Sequence, residues 1–574
     1  MKRIWFLLTF LFLAAQAEAA TYWVSQASSP PGPHCNNSAT DPGPTGSSLT
    51  VAQALTCMTN AGGGGHTVYI KGGTYNETGL LVPSGTAGAY NTVASYSNES
   101  VVFTSTSGTF NFYNTAKQYV NIVGGCDVGT NRNCRMTFDA SPMAFDHVER
   151  GGSQFITFDG IRIHNVETGG VLPGGGIAVN IGSNNITFKN CRMDHNGAKT
   201  LSDQGQPGYG YYIGGDNNTV ENCEIDNNGG FGIHQYSSDQ NPSNNTYRFN
   251  IIHDNGQNHI PTNSADGILM TGNDPSVSTN NQAYGNVIYG HAWGYGIRSN
   301  HANAIIYNNT VYNNGFGDGG STGLLIEGIN PTVRNNIVSA NAAGQILQLG
   351  GAAGTFSNNL CGPGTCTVGS NNQNESAATT FTNAGAGDFT LRAGSAAINN
   401  GTINIALGVN ISACSGGTTV GCYNGTFPDI GALETGVPTV AGGPPTLTAN
   451  LSSVQAGQEI KVTVDDDDVN ERIENTGDWV GIFVAGTTAG SIDWFYMNGS
   501  KVAPSSPISD AVLTFTAPTT VGAYEFRFYR NNSVLEVDRL ATAAFTVIAP
   551  GIVMRFNITS LKIGPSVTWK IGTP

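Results

Sequence analysis

The sequence predicts an all-β chain, a long solenoid of short parallel strands followed by a small antiparallel β-sandwich. Three observations carry this prediction. Glycine fills 77 of 574 positions and charged residues only 11%, while asparagine recurs through the first four hundred residues; Gly and Asn are poor helix formers and common turn residues. A short apolar pattern ending at one polar column returns every twenty-odd residues between Cys191 and Asn359. Beyond residue 445 the texture changes to period-two alternation, as in "EIKVTV" and "AYEFRFYRNN".

The chain opens on an export signal. Lys2 and Arg3 precede the apolar run Ile4–Ala15, and Ala17-Glu18-Ala19 is a small-residue cleavage site. The run is too short to span a bilayer, and no later stretch reaches about 18 apolar residues. The reading is therefore a secreted or periplasmic monomer without a membrane span. Ten cysteines agree with an oxidising compartment. Cys35 with Cys57, Cys126 with Cys134, Cys361 with Cys366 and Cys414 with Cys422 are candidate bridges, although sequence leaves connectivity open. No Cys-x-x-Cys pair with histidine partners supports zinc. The net charge of −15 argues against nucleic acid. It also disfavours a polyanionic substrate unless a bound cation reverses the local field.

The segments "FKNCRMDHNG", "VENCEIDNNG", "YRFNIIHDNG", "AYGNVIYGHA", "IYNNTVYNNG", "VRNNIVSANA" and "FSNNL" align on Cys191, Cys223, Asn250, Asn286, Asn309, Asn336 and Asn359. Their intervals of 32, 27, 36, 23, 27 and 23 residues indicate a solenoid. A second column begins at Gly176, Gly210, Gly232, Gly267, Gly296 and Gly323 ("GIAVN", "GYYIG", "GIHQY", "GILMT", "GIRSN", "GLLIE"). Each coil thus holds at least two short strands, which stack on the next coil about 4.8 Å away as parallel sheets. The amides follow from that stacking. A turn amide can donate and accept toward identical residues above and below, whereas a buried Asn without partners would cost about 1–3 kcal/mol.

On these repeats, on "TYWVSQ", on "HTVYIKGGTYNE" (66–77) and on the closing "DIGALE" (429–434), the chain resembles the right-handed parallel β-helix proteins. That superfold includes pectate lyases and related polysaccharide-acting proteins, and the resemblance covers about Thr21 to Glu434. It implies a carbohydrate partner outside the cell. The organisation expected is 1–19 signal, 20–436 β-helix, 437–445 a Pro/Gly linker, 446–549 sandwich and 550–574 unassigned. The sandwich resembles the immunoglobulin-like modules appended to secreted bacterial enzymes. Trp479, Trp494 and Tyr496 are either core packing or sugar platforms, and Asp465–Asp468 is either a solvated loop or a Ca²⁺ site.

Two intervals longer than a coil contain insertions, "AKTLSDQGQPGYG" (198–210) and "GQNHIPTNSADG" (256–267) with "GNDPSVSTNN" (272–281). Long loops on successive coils build groove walls. If Ile177, Ile233, Ile268, Ile297 and Leu324 point inward, alternation sends Ala178, Tyr212, His234, Leu269, Arg298 and Leu325 outward. Two residues on, the outward set is Asn180, Gly214, Tyr236, Thr271, Asn300, Glu327 and Gln348. His234 and Arg298 then lie roughly 10 Å apart along the axis. Seven of ten histidines fall between His164 and His301. A third outward column holds His164, Asp194, Asp226, His253, Tyr289 and Tyr312. Asp194 beside Asp226 needs a cation or proton between them; with Asp203 or Asp254 they could form a Ca²⁺ site. Asp266 is another acid or Ca²⁺ ligand, or a turn cap.

The leading reading is a lyase cleaving uronate-containing polysaccharide by β-elimination, with possible Ca²⁺ dependence. That chemistry takes a cation on the carboxylate, a base for the C5 proton and an acid for the leaving oxygen. Arg298 or Ca²⁺ would neutralise, His234 or Lys199 would act as base, and Tyr212 or Tyr236 as acid. Asn300, Glu327, His259 and Trp293 would bind substrate. The same parts would serve a C5 epimerase, as in the mannuronan epimerases the chain distantly resembles. It departs from the lyases' usual basic cluster, having no Lys between Lys199 and Lys461. A hydrolase would pair Asp266 with Asp226, Asp254 or Glu327. A non-catalytic carbohydrate-binding or structural protein is the third reading.

Overall fold

The computed structural model describes residues 19–549 apart from 28–31, 98, 114, 128–129, 146–151, 167–178, 198–207, 238–240, 258–264, 275, 318–319, 350–353, 403–411, 414–421, 424–426, 436–445, 466–475, 488–489, 505–507, 509–510 and 530–538. The export signal before Ala19, the Cys414–Cys422 pairing, the side chains of Asp465–Asp468 and the tail 550–574 lie outside the described residues. The chain divides into two compact units, with the division along the sequence near residues 442–443.

The first unit is a solenoid of three parallel sheets. A twelve-stranded first sheet runs from Thr21–Val24 to Thr355–Ser357, a twelve-stranded second from Gly73–Tyr75 to Gln373–Asn374, and an eight-stranded third from Met143–Phe145 to Ile346–Gln348. One coil shows the construction. Ile305–Tyr307 belongs to the first sheet, Asn308-Asn309 turns the corner, Thr310–Tyr312 belongs to the second sheet, and Asn313-Asn314 turns again. The first Asn of each pair takes a left-handed backbone, φ 49° at Asn308 and 52° at Asn313, which Asn tolerates better than most residues. The second Asn is fully buried and joins the ladder.

The predicted ladder is present and makes three contacts per residue. Asn250 donates from its backbone N–H to Asn286 Oδ1 (3.0 Å), and from Nδ2 to the same oxygen (3.0 Å) and to Val220 O (2.9 Å). The pattern repeats through Asn286, Asn309, Asn336 and Asn359. Sequence reading found one ladder; the described residues form three. Asn196, Asn228, Asn255, His291, Asn314 and Asn341 form the second, and Asn218, Asn245 and Asn281 the third. Cys191 and Cys223 continue the first ladder as buried free thiols.

The glycine column has a steric cause. A Cβ on Gly267 would sit 2.6 Å from Ile288 Cγ2 and 2.7 Å from Gly296 O, and one on Gly296 would sit 2.3 Å from Val311 Cγ1. The third sheet therefore begins where its backbone presses on the core side chains of the second sheet, and only hydrogen fits. Inside, like side chains stack on like, as Phe158 on Phe188 (4.5 Å, 7°). Outside, one row of the first sheet alternates in sign through Asp159, Lys189, Glu221 and Arg248, with Lys189 3.1 Å from Asp159 and Arg248 Nε 2.7 Å from Glu221. A slip by one coil would bring like charges together.

The ends and corners are closed locally. Helix Val51–Ala61 starts with a Thr50/Gln53 capping box, lays Val51, Ala54, Leu55 and Met58 on the first strands, and is tied by the Cys35–Cys57 disulfide. Cys126–Cys134 and Cys361–Cys366 are also bridged. "DIGALE" folds back on the second sheet's outer face: Asn308 Nδ2 donates to Asp429 O and Gly431 O (both 3.1 Å), and Ile430 joins an apolar cluster with Phe381, Phe389 and Ile337.

The second unit pairs a three-stranded sheet (Thr446–Ala449, Glu459–Asp465, Ala511–Thr516) with a five-stranded one (Ser453–Gln455, Trp479–Val484, Asp493–Tyr496, Gly522–Tyr529, Arg539–Ile548). Val462, Val480, Ile482, Phe515, Phe526 and Phe545 fill the space between. Trp479 belongs to a separate cluster on the five-stranded sheet with Phe483 and Tyr529, against which half-buried Trp494 and Tyr496 pack. Among the described residues, no helix is long and apolar enough to cross a membrane.

Two predictions follow the ladder and its histidines. Asn286→Ala strands the Asn250 backbone N–H and side-chain amide, and should destabilise by about 1–3 kcal/mol per orphaned group; Gly267→Val should do more, and thermal melts compare both with the parent. Burial pushes His291 and His301 down to about 4, far below an unfolded histidine. Both are neutral when folded and take up a proton on unfolding, so stability is retained above about pH 6.5 and lost as pH falls through 6.5 toward 4. The melting temperature should drop over that window, and less so in His301→Asn.

Candidate functional site

The outer face of the third sheet carries the sequence-predicted candidates. Strands Tyr211–Ile213, Ile233–Gln235, Ile268–Met270, Ile297–Ser299 and Leu324–Ile326 are three residues long, with flanking residues buried in the core and the middle one outward. Register places Tyr212, His234, Leu269, Arg298 and Leu325 in one row. Tyr212, His234 and Arg298 therefore do share a face, with Leu269 between the last two. Two expectations move. Asn180, not Ala178, pairs with Tyr212, and Gln348 pairs with Ile326, inside the row that holds Ser299. Val179 aligns with Tyr211 and Ile346 with Leu324, so the strand sits two residues later in the first case and one residue later in the second than the glycine motif implies.

His234 is enclosed by rings. Phe231 stacks on it at 4.5 Å and 19°, Tyr236 at 5.9 Å and 16°, while Tyr209 and Tyr212 meet it edge-on at 5.0 and 5.1 Å. Tyr209, Phe231 and Leu269 are themselves buried as a cluster. Burial pushes the His234 pKa down to about 3, so the ring is neutral at physiological pH. Its Nδ1 is buried without a hydrogen-bond partner, as is Asn300 Oδ1. Proton transfer at this ring would fall to Nε2.

Two coils from His234, Arg298 is clamped by Glu327: Nε to Oε2 2.8 Å and Nη2 to Oε1 3.4 Å. Its guanidinium lies 5.8 Å from the Tyr295 ring. Asp266 is fully buried and accepts from Tyr295 N–H at 2.8 Å, the turn-capping alternative of the sequence reading. Half-buried Trp293 sits in the turn before Tyr295, close to Gly256 and Gly317. Lys199, Asp203 and His259 lie outside the described residues.

The remaining acidic candidates belong to a different sheet. His164, Asp194, Asp226, His253, Tyr289 and Tyr312 form one row on the second sheet, in the predicted register. Asp254 lies beside this row, bonded to His253, whereas Asp266 lies in a turn of the third sheet, apart from Asp194 and Asp226. The cation between Asp194 and Asp226 is guanidinium. Arg162 Nε donates to Asp194 Oδ1 (2.7 Å), Arg192 Nε and Nη2 donate to Asp226 (3.1 and 3.0 Å), and Arg192 also reaches Glu224 (3.2 Å). His253 bonds Asp254 (2.8 Å) and Glu224 (3.4 Å), and the disulfide-stapled 126–134 loop delivers Arg132 N–H to Glu224 (2.9 Å). Burial would raise the Asp194 pKa, but Arg162 and Arg192 outweigh it and hold the carboxyl below its usual range. Two clusters here, Asp194–His195–Asp226 and Glu224–Asp226–His253, have metal-ligand spacing. Their oxygens already face guanidinium groups that would repel Ca²⁺, so this donor set does not fit that ion. Arg162, Arg192 and Glu224 were legible: they are the first outward positions of strands whose second outward positions were read.

The histidine clustering also resolves. His291 occupies a ladder position, accepting Asn255 N–H at 3.2 Å, and His301 Nδ1 meets Asn281 Nδ2 at 2.8 Å. Both are structural.

The right-handed β-helix region family matches residues 99–258 and 204–403. Among solved structures the chain is similar to pectate lyase Pel9A (18% identity, TM-score 0.44, 73% of this chain and 98% of that one). It is also similar to a rhamnogalacturonan lyase (17%, 0.42, 59% and 87%). A third is the Azotobacter vinelandii mannuronan C-5 epimerase AlgE4 A-module (14%, 0.36, 57% and 92%). No curated protein matches the sequence. Likeness at this level concerns the winding of the chain and assigns no reaction.

His253 gives a pH test of the second-sheet cluster. Burial opposes its charge, but Asp254 and Glu224 raise its pKa to about 9. Its contribution is complete below the unfolded value near 6.5 and is lost as pH rises through 9. His253→Gln should therefore lower the melting temperature at pH 6 more than at pH 10.

Proposed function

The chain belongs to the right-handed β-helix family, and from that premise we propose that it is an exported polysaccharide-active protein. Its working face is the outer surface of the third sheet, and its reaction is β-elimination on uronate-containing chains. One observation carries this reading. A single outward-facing row combines an aromatic box around a neutral imidazole with a guanidinium two coils away, beside two buried polar atoms that lack partners. Aromatic rings suit the apolar faces of sugars, and polar atoms left without partners invite hydroxyl groups.

The roles follow from position. Arg298 would hold the uronate carboxylate and so acidify the C5 proton. His234 Nε2, about 10 Å away along the axis, would take the C5 proton of that same sugar after a local shift brings the two together. As the C5–H bond breaks, its electron pair forms the C4–C5 double bond, the C4–O bond breaks, and Tyr212 or Tyr236 protonates the departing oxygen. A C5 epimerase would use the same groups and return a proton to C5. The hydrolase pairing of Asp266 with Asp226 or Asp254 loses support, because those partners lie on the second sheet.

A second reading has a specific observation in its favour. A base with a pKa near 3 takes protons poorly at neutral pH, and Arg298 already has a carboxylate partner. Both facts favour a face that binds polysaccharide without cleaving it.

Incubation with alginate, pectate and glycosaminoglycans separates these readings. Ultraviolet absorbance from unsaturated uronates supports the lyase, and new reducing ends without it indicate hydrolysis. In the lyase case His234→Ala and Arg298→Ala should each lower turnover by about a hundredfold or more while the melting temperature stays near the parent's. Full activity in both would remove this face from consideration. In the binding case no product forms, and Tyr212→Ala or Tyr236→Ala weakens retardation in polysaccharide-containing gels.

A further inference from the structure

Arg298 is the sole Lys or Arg among the described strands of the third sheet. Its clamp differs from the arginine clamps on the second sheet in the exposure of the carboxylate. Arg192 is 8% and Arg162 26% exposed, but their partners Asp194, Asp226 and Glu224 are all 0% exposed, so those carboxylates are sealed. Arg298 and Glu327 are 35% and 26% exposed. An ion pair open to water is held weakly and exchanges partners readily, whereas a sealed pair does not. The geometry is also that of a bound ligand. Two guanidinium nitrogens meet two carboxylate oxygens, the arrangement an incoming uronate carboxylate would adopt. Tyr295 stays under the guanidinium, and buried Asp266 favours its charge. Arg298 is therefore held in place by groups other than Glu327.

We propose that Glu327 is an internal stand-in for the substrate's carboxylate, occupying Arg298 until a uronate displaces it, and so sets the charge selectivity of this face. The inference rests on the reading that this face binds polysaccharide. A neutral chain has nothing to exchange for Glu327 and binds beside the closed pair. A polyuronate trades carboxylate for carboxylate and turns Glu327 out to solvent, on a protein whose net charge of −15 already opposes polyanions. Removing the Glu327 charge leaves Arg298 open to the polymer. The gain is specific to charged chains and sensitive to salt, which a merely structural role for Glu327 would not produce.

The test compares the parent, Glu327→Gln and Glu327→Asp by calorimetry or affinity gels with alginate and with a neutral mannan. Glu327→Gln should bind alginate about tenfold tighter, with mannan affinity unchanged, and the gain should shrink between about 50 and about 500 mM NaCl. Glu327→Asp keeps the charge and should stay near the parent. Unchanged or weaker alginate binding by Glu327→Gln, or an equal gain on mannan, overturns the inference. A parent that ignores alginate beside a Glu327→Gln that binds it upholds the stand-in role while ending the uronate-lyase reading. Silence from both on alginate ends both.

Discussion

Register between coils is the constraint on which the rest of this molecule depends, and buried amides hold it. Each corner needs a left-handed residue to turn the chain within two positions, followed by a side chain that can hydrogen-bond upward and downward at once. Asn serves both roles, which is why Asn-Asn pairs mark successive corners of one coil. A ladder amide uses its oxygen twice and its NH₂ group twice, so every buried polar atom has a partner only while the coils remain in step. The hydrophobic interior alone would not specify this, because stacked Ile and Val columns tolerate a slip of one coil.

Once register is fixed, the same device that builds the scaffold also builds its surfaces. Outward residues from segments twenty to thirty-six positions apart become neighbours about 4.8 Å apart. On the first sheet this yields a row of alternating charge. On the second it yields a lattice of Arg162, Arg192, Asp194, Glu224, Asp226 and His253, in which each carboxylate is shut from water and faces a cation of the chain itself. On the third it yields aromatic rings around His234 and an ion pair that water reaches. The contrast in exposure separates the two charged assemblies. The lattice of sealed carboxylates, closed over by the 126–134 loop, stabilises; the open pair can change partners.

The coil repeat, the Cys191-to-Asn359 ladder, three of the disulfides and the outward row through Tyr212, His234 and Arg298 were legible because they depend on periodicity, which a single sequence displays directly. The second-sheet row from His164 to Tyr312 was legible for the same reason. Other features were not. Three-residue strands are too short to show a period, so the spacing gave at least two strands per coil without fixing the number at three. Ladder positions filled by His291 or stabilised by His301 looked like a cluster of reactive histidines, since residue type does not reveal whether an imidazole meets a backbone amide or a substrate. Asp194 and Asp226 looked like metal ligands because the arginines that meet them, Arg162 and Arg192, stand at the other outward position of the preceding coil.

Sequence by itself determined the winding: Gly and Asn placed where only they relieve a turn or a close approach, and apolar residues at a fixed spacing, leave a parallel solenoid as the consistent solution. It also determined which side chains line up, because register follows from spacing. Tertiary structure alone decided what each aligned group can do. Protonation and pairing depend on burial and on atoms a few ångströms away: rings that desolvate His234, a carboxylate that meets Arg298 at the surface, and guanidinium groups that fill the space between Asp194 and Asp226. Those distances exist only after the coils have closed on one another.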